Sequence, residues 1–224
     1  MRLLLVSATD FEIRKTINWL ETGSHSLNVL KPELLITCVG QLQTGYSLQK
    51  KIYAKRPDLV IQAGIGGSSF STDLNRIFAV QSETQSDLGV LENAGFRSVF
   101  DLGFDQPDHF PFHSGKLENP YKELLAWSGL PLIHGATVNE IKSSDFPGFK
   151  QNEDRIVESM EGAALHYVCL MEKIPFLQIR SISNKIGDRD KNHWNINGSV
   201  DLLNETIISL IYKLQQIDEV IFGI

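Results

Sequence analysis

The chain has 224 residues, 42% of them hydrophobic and 21% charged, with a net charge of −6. That length suits one α/β domain whose core holds without staples. The acidic balance, with no basic stripe, excludes nucleic acid as a partner. No apolar run approaches a membrane span.

In chain order, Leu3–Ser7 reads as a buried first strand, and Asp10 and Glu12 follow too soon for a secretion signal. Phe11–Leu20 has helical spacing, with Asp10 as its expected N-cap. Leu34–Val39 is the next strand, and Tyr46–Lys55 is a helix ended by Arg56 and Pro57. Leu59–Ala63 is a buried strand running into Gly64-Ile-Gly66-Gly67, and Ile77–Gln81 is another strand. Residues 84 to 118 are rich in Phe, Gly, Pro and His and read as one long irregular loop, functional or mobile. Then come a helix at Tyr121–Trp127, strands at Leu132–Thr137 and Ile156–Met160, a helix at Ala163–Lys173, a strand at Phe176–Ser183 and a closing helix at Leu202–Ile217.

This β-α-β alternation over the whole length predicts one domain, residues 1–224, with a sheet covered by helices on both faces. Cys38 and Cys169 lie in apolar runs without metal-type neighbours, which suits free thiols and a cytoplasmic protein. His109 and His113 stand four apart, but Pro111 between them breaks a helix and no third ligand is evident, so no metal is expected. No cofactor motif stands out.

Ligands of open α/β sheets sit at the carboxyl ends of strands. Ser7–Glu12, Gly64–Ser68, Met160-Glu161 and Ser183-Asn184 all fall at such ends. The glycines are a tight turn or a backbone that approaches a flat ligand, without the spacing of a dinucleotide or phosphate loop. Glu161 follows an apolar strand and is either a helix-start acid or a ligand carboxylate. A carboxylate accepts from both hydroxyls of a ribose diol, and a carboxamide such as Asn184 offers one acceptor and one donor to a purine edge. Asp188-Arg189-Asp190 with His193 and Trp194 reads as a self-paired surface run beside that site.

These residues carry a resemblance. The strand leading to Glu12, Gly64–Gly67, Met160-Glu161 and Arg180-Ser-Ile-Ser resemble the nucleoside phosphorylase/hydrolase superfamily in its methylthioadenosine/S-adenosylhomocysteine nucleosidase branch. Glu158-Ser-Met-Glu161-Gly-Ala-Ala, the stretch from Ile182 through Asn184 and Arg189 to Trp194, and Asp87-Leu-Gly-Val are most similar to the futalosine hydrolases of that branch. The resemblance implies a three-layer αβα sandwich around a mixed β-sheet. It implies a small-molecule nucleoside substrate, no cofactor, and a homodimer or larger homo-oligomer. It implies Glu12 as the residue that orients and deprotonates water. Glu161 would grip the ribose with Met160 packed beside it, Gly66 and Gly67 would let the backbone approach the ligand, and Asn184 would sit at the leaving base.

One departure bears on substrate. The adenine-releasing nucleosidases carry an aspartate where this chain has Asn184, and a carboxamide cannot deliver that proton. Asn184 suits hypoxanthine, so the expected reaction is hydrolysis of futalosine in menaquinone biosynthesis. Arg189, or a residue of 84–118, is the candidate for the benzoate tail. The rivals are a methylthioadenosine or aminofutalosine nucleosidase, a phosphate-dependent purine nucleoside phosphorylase, and an inert nucleoside-binding protein.

Overall fold

The apolar runs of the sequence become strands of one eight-stranded mixed sheet in the computed structural model, which describes residues 1–22, 30–93, 95–144 and 154–216. Its strands are β1 (Leu3–Ser7), β2 (Glu33–Ile36), β3 (Leu59–Ser68), β4 (Ile77–Gln85), β7 (Leu117–Glu118), β8 (Leu132–Thr137), β9 (Ile156–Ser159) and β10 (Phe176–Lys185), while β5 (Gly89–Glu92) and β6 (Gly95–Ser98) form a separate hairpin. β3 is the organising strand. It pairs in parallel with β1 over its first half and with β10 along its length, and its end, Gly67-Ser68, pairs antiparallel with β9. β10 continues antiparallel to β4, and β4, β8 and β9 follow in parallel. Five strands thus close a ring that β1 and β2 extend.

Period-two alternation assigns the two faces. Leu3 and Leu5 of β1 face a core shared with Ile61, Ile179, Leu203 and Ile207. Leu4 and Val6 face the opposite core, with Val60, Leu48, Ile52 and Leu165. Helices α1 (Asp10–Thr22) and α5 (Ile196–Leu214) cover the first face, α2 (Gln41–Ala54) and α4 (Gly162–Met171) cover the second, and the short α3 (Lys122–Ser128) adds Leu124 and Leu125 to the first core. Each such side chain contributes about 1.5–3 kcal/mol. The layers are those of the expected αβα sandwich.

Local details depart from the sequence reading. The cap of α1 is Thr9, not Asp10: Thr9 Oγ1 accepts from the Glu12 N–H (3.4 Å) and the Glu12 carboxylate accepts from the Thr9 N–H (3.1 Å), a reciprocal capping box. Asp10 instead pairs with Arg14. A kink at Ile13 (φ −118°, ψ 15°) has a specific cause. The Asn204 carboxamide of α5 inserts into the helix ladder, accepting the Thr16 N–H (2.8 Å) and donating to the Glu12 carbonyl (2.8 Å). Helix α5 starts at Ile196, earlier than its apolar period suggested, because the Asn195 side chain accepts the Gly198 N–H (3.1 Å). The far end of that expected helix, Ile217, lies outside the described residues.

Residues 84–118 are not one irregular loop. β4 runs through Gln85, the β5–β6 hairpin follows, and β7 pairs back onto β4. Nor is Gly64–Gly67 a turn. These residues are extended within β3, and glycine is required by what lies against the strand.

Candidate active site

One cleft of about 280 Å³ opens where β1, β3, β9 and β10 end. Glu12, Gly66, Gly67, Met160, Glu161, Asn184 and Arg189 line it, while no described residue of 84–118, the alternative offered beside Arg189, does so. Glu158 and Trp194 and the apolar side chains Phe11, Val39, Val138 and Ile141 line it as well.

Glu12 and Glu161 are held tightly. Glu12 is buried; its Oε2 accepts from Ser7 Oγ (3.2 Å), the Thr9 N–H (3.1 Å) and Thr9 Oγ1 (2.8 Å), and its Oε1 from the Ile65 N–H (3.0 Å). Glu161 occupies the N-cap position of α4 but its side chain caps nothing. Its Oε1 accepts the Gly40 N–H (3.1 Å), and its Oε2 lies 3.5 Å from Arg180 Nη2. Gly40 reaches Glu161 from a backbone at φ +108°, a conformation that favours glycine. Arg180 is buried, and its Nη2 also donates to Gln62 Oε1 (3.0 Å). Its other nitrogen, Nη1, lies against Gly64, where any Cβ would strike it, and 3.0 Å from that Cβ position stands Glu12 Oε1. The guanidinium therefore pairs with Glu161 and packs against Gly64, the strand position that Glu12 also approaches.

Beneath this end Glu83 is buried. Its Oε1 accepts from Gln178 Nε2 (2.7 Å) and its Oε2 from Thr137 Oγ1 (2.9 Å), which in turn accepts the Ala163 N–H of α4 (2.8 Å). Burial pushes its carboxyl up to about 7. Gly135 and Gly162 are glycines because a Cβ at either would meet this carboxyl. His166 is buried as a neutral ring: burial lowers its pKa to about 4, and Nδ1 donates to the Leu117 carbonyl (2.8 Å).

Asn184 and Glu158 form a different arrangement. A bulge in β10 between Ile182 and Asn184 brings the carboxamide against Gly67. Asn184 Nδ2 donates to the Lys185 carbonyl (3.0 Å) and Oδ1 accepts from Ser183 Oγ (2.9 Å). A carbonyl can only accept, so these contacts fix the amide orientation and leave one N–H and one lone pair for a ligand. Glu158 has no hydrogen bond to its carboxylate among the described residues, and burial, then Asp87, push its pKa up to about 7 against the pull of Arg189 and Lys142.

A Cβ on Gly66 would lie 2.8 Å from the Glu158 carbonyl and from Val157, and one on Gly67 would lie 3.1 Å from Asn184 Nδ2. Strand packing at Gly66 and the seating of Asn184 at Gly67 thus already call for glycine, and both glycines line the cleft. The run 188–194 is self-paired as expected: Asp188 binds His193 (2.8 Å) and accepts from Trp194 Nε1 (3.0 Å), while exposed Arg189 stacks on Trp194 with 5.1 Å from Cζ to the ring centroid. Asp87 accepts the N–H groups of Asn139 and Glu140, which anchors the wall carrying Val138 and Ile141. Sequence reasoning gave no role to Arg180, Glu158, Gly40 or Glu83. An arginine inside an otherwise apolar strand was the available sign of the first.

No family model matches the chain. It is 27% identical over 159 residues to a futalosine hydrolase of Streptomyces coelicolor, covering 70% of this chain and 67% of that protein. It is 24% identical over 184 residues to one of Thermus thermophilus, covering 79% and 80%. Among solved structures, 5'-methylthioadenosine/S-adenosylhomocysteine nucleosidase of Helicobacter pylori superposes with a TM-score of 0.71 at 16% identity, covering 95% of this chain and 98% of that one. The chain has the fold of the nucleoside phosphorylase/hydrolase superfamily. Futalosine hydrolase of Helicobacter pylori, another solved structure, gives a TM-score of 0.65 at 17% identity over 96% of each chain. The superfamily fold accounts for the mixed sheet with helices on both faces.

Proposed function

We propose that this chain hydrolyses the N-ribosidic bond of futalosine, releasing hypoxanthine and dehypoxanthine futalosine, as a step of menaquinone biosynthesis in the cytoplasm. The observation that carries the reading is an amide, Asn184, lining the same cleft as the carboxylates Glu12 and Glu161. The similarity to futalosine hydrolases supports it independently.

Cleavage passes through an oxocarbenium-like sugar. Glu12, fixed by donors on both oxygens, orients the attacking water and takes its proton. Glu161, fixed by Gly40 and Arg180, accepts from the ribose hydroxyls with Met160 beside it. The free N–H and lone pair of Asn184 meet the six-oxo group and N7–H of the departing purine, a contribution of about 3 kcal/mol by analogy with preorganised donors elsewhere. A carboxylate at the nucleophile position repels phosphate, which favours water over phosphorolysis. Arg189 at the cleft edge is the group for the benzoate. A second copy of the chain covers the exposed apolar side chains of α2 and α4, among them Leu42, Tyr46 and Met171.

The test is to incubate the protein with futalosine, aminofutalosine, methylthioadenosine and inosine, with and without phosphate, and identify the released base. Hypoxanthine from futalosine without phosphate is expected. Adenine as the main product, or strict dependence on phosphate, would overturn the proposal.

A further inference from the structure

Gly67 of β3 pairs with Glu158 of β9 on one side and with Asn184 of β10 on the other. Paired residues of neighbouring strands point to the same face of a sheet, and the next residue along points to the other. Val157 faces away, into the apolar cluster with Phe78, Ile133 and Ile182, and Gly66 faces Val157. Glu158 and Asn184 therefore share the remaining face, two strand spacings or about 10 Å apart at their Cα atoms. Between them stands only Gly67, and both line the cleft. With no side chain on Gly67, the Asn184 carboxamide reaches to 3.1 Å from where its Cβ would lie, so this stretch of the cleft wall carries an amide and, across the strand, a carboxyl. That carboxyl has no hydrogen-bond donor among the described residues, so the fold does not use it to hold itself together.

We propose that Glu158 is a second base-reading residue, whose carboxylate accepts the N1–H of a 6-oxopurine while Asn184 takes the O6 and N7 side. This rests on the 6-oxopurine reading above and deepens it. In a 6-oxopurine N1 carries a proton, and in a 6-aminopurine it carries a lone pair. A carboxylate only accepts, so it attracts the first and repels the second. N7, O6 and N1 follow one another along one edge of the purine, which matches two readers flanking a glycine. Among the described residues, the charged groups facing Glu158 are Asp87 from the β4–β5 turn, Lys142 beyond β8 and Arg189 beyond β10. Its carboxyl titrates near pH 7, so the discrimination grows as pH rises through that value.

The test is calorimetric binding of hypoxanthine and of 1-methylhypoxanthine, which lacks the N1 proton, to the wild type, Glu158→Gln and Glu158→Leu at pH 6 and pH 8. The wild type at pH 8 prefers hypoxanthine by about ten- to a hundredfold, as a hydrogen bond to a charged group requires. In Glu158→Leu the ratio falls to within about threefold, and in Glu158→Gln it is intermediate and independent of pH. A ratio unchanged in both variants, or near one in the wild type, overturns the role of Glu158. If Glu158→Leu does not fold, a pH-dependent ratio surviving in Glu158→Gln overturns it equally. A wild type that binds adenine better than hypoxanthine overturns the 6-oxopurine reading itself, a different outcome from a hypoxanthine preference that ignores Glu158.

Discussion

At the Glu12–Glu161 end of the cleft each carboxylate is already held by the protein, through backbone N–H groups, hydroxyls and the Arg180 guanidinium. Three residues further along β3, about 10 Å away, the Glu158 carboxylate has no hydrogen-bond donor among the described residues, and Asn184 keeps one donor and one acceptor unspent. Under the proposed function the difference separates two tasks. Groups that act on every substrate the site turns over are fixed beforehand, which removes reorganisation from the reaction. Groups that choose the substrate keep their hydrogen-bonding capacity for the ligand, since only a partner left unpaired by the wrong base gives large discrimination.

The comparison breaks first at Glu12. Glu12→Gln retains most of the contacts but cannot take a proton, so kcat for futalosine should fall about a thousandfold while KM changes little, as measured by steady-state hypoxanthine release. A mainly KM effect would move Glu12 to a binding role. Next is Arg180→Met, which leaves Glu161 buried without its cation. Urea unfolding should show a loss of about 3–5 kcal/mol. A loss below 1 kcal/mol, the range of exposed pairs, would mean that the guanidinium does not hold Glu161.

The floor under the fixed end gives a pH signature. Glu83 is raised from its ordinary 4.5 to about 7 in the folded protein, so between these values the folded state holds a proton that the unfolded state has lost. Its contribution to stability is complete below about pH 4.5 and is lost as pH rises to 7. The stability of the wild type relative to Glu83→Gln should therefore fall by roughly 3 kcal/mol between pH 4.5 and 7.5. A difference that is flat or rising with pH would show that Glu83 is ionised in the fold. The smallest effect is expected at exposed Arg189. Arg189→Ala should raise KM for futalosine about threefold and leave inosine unchanged, the scale of a solvent-screened pair. An unchanged futalosine KM would remove Arg189 from the benzoate.

The sheet was legible because its central strands are continuous apolar runs, and Leu3–Ser7 even splits its side chains between the two cores. The end of β4 was not, because Ser82-Glu83-Thr84-Gln85 is polar sequence that reads as loop, although Ser82 and Glu83 are buried. β5 is exposed along its whole length and carries no alternation to detect. Gly64–Gly67 looked like a turn because the reasons for those glycines, Arg180, Val157 and Asn184, lie far away in sequence. In the site, Glu12, Glu161 and Asn184 were legible through strand ends and resemblance. Glu158 was hidden, since one acidic residue on a strand reads as a solvent-facing position. The Gly40 N–H was hidden for a simpler reason: a backbone donor has no letter of its own.

The central claim is that the Glu158–Asn184 end selects a 6-oxopurine. The most direct measurement is the ratio of kcat/KM for futalosine over aminofutalosine in the wild type and in Asn184→Asp. The account predicts a wild-type ratio of about a hundred or more, and a fall of at least about tenfold in Asn184→Asp, through lost futalosine turnover. A ratio that is the same in both proteins would contradict it.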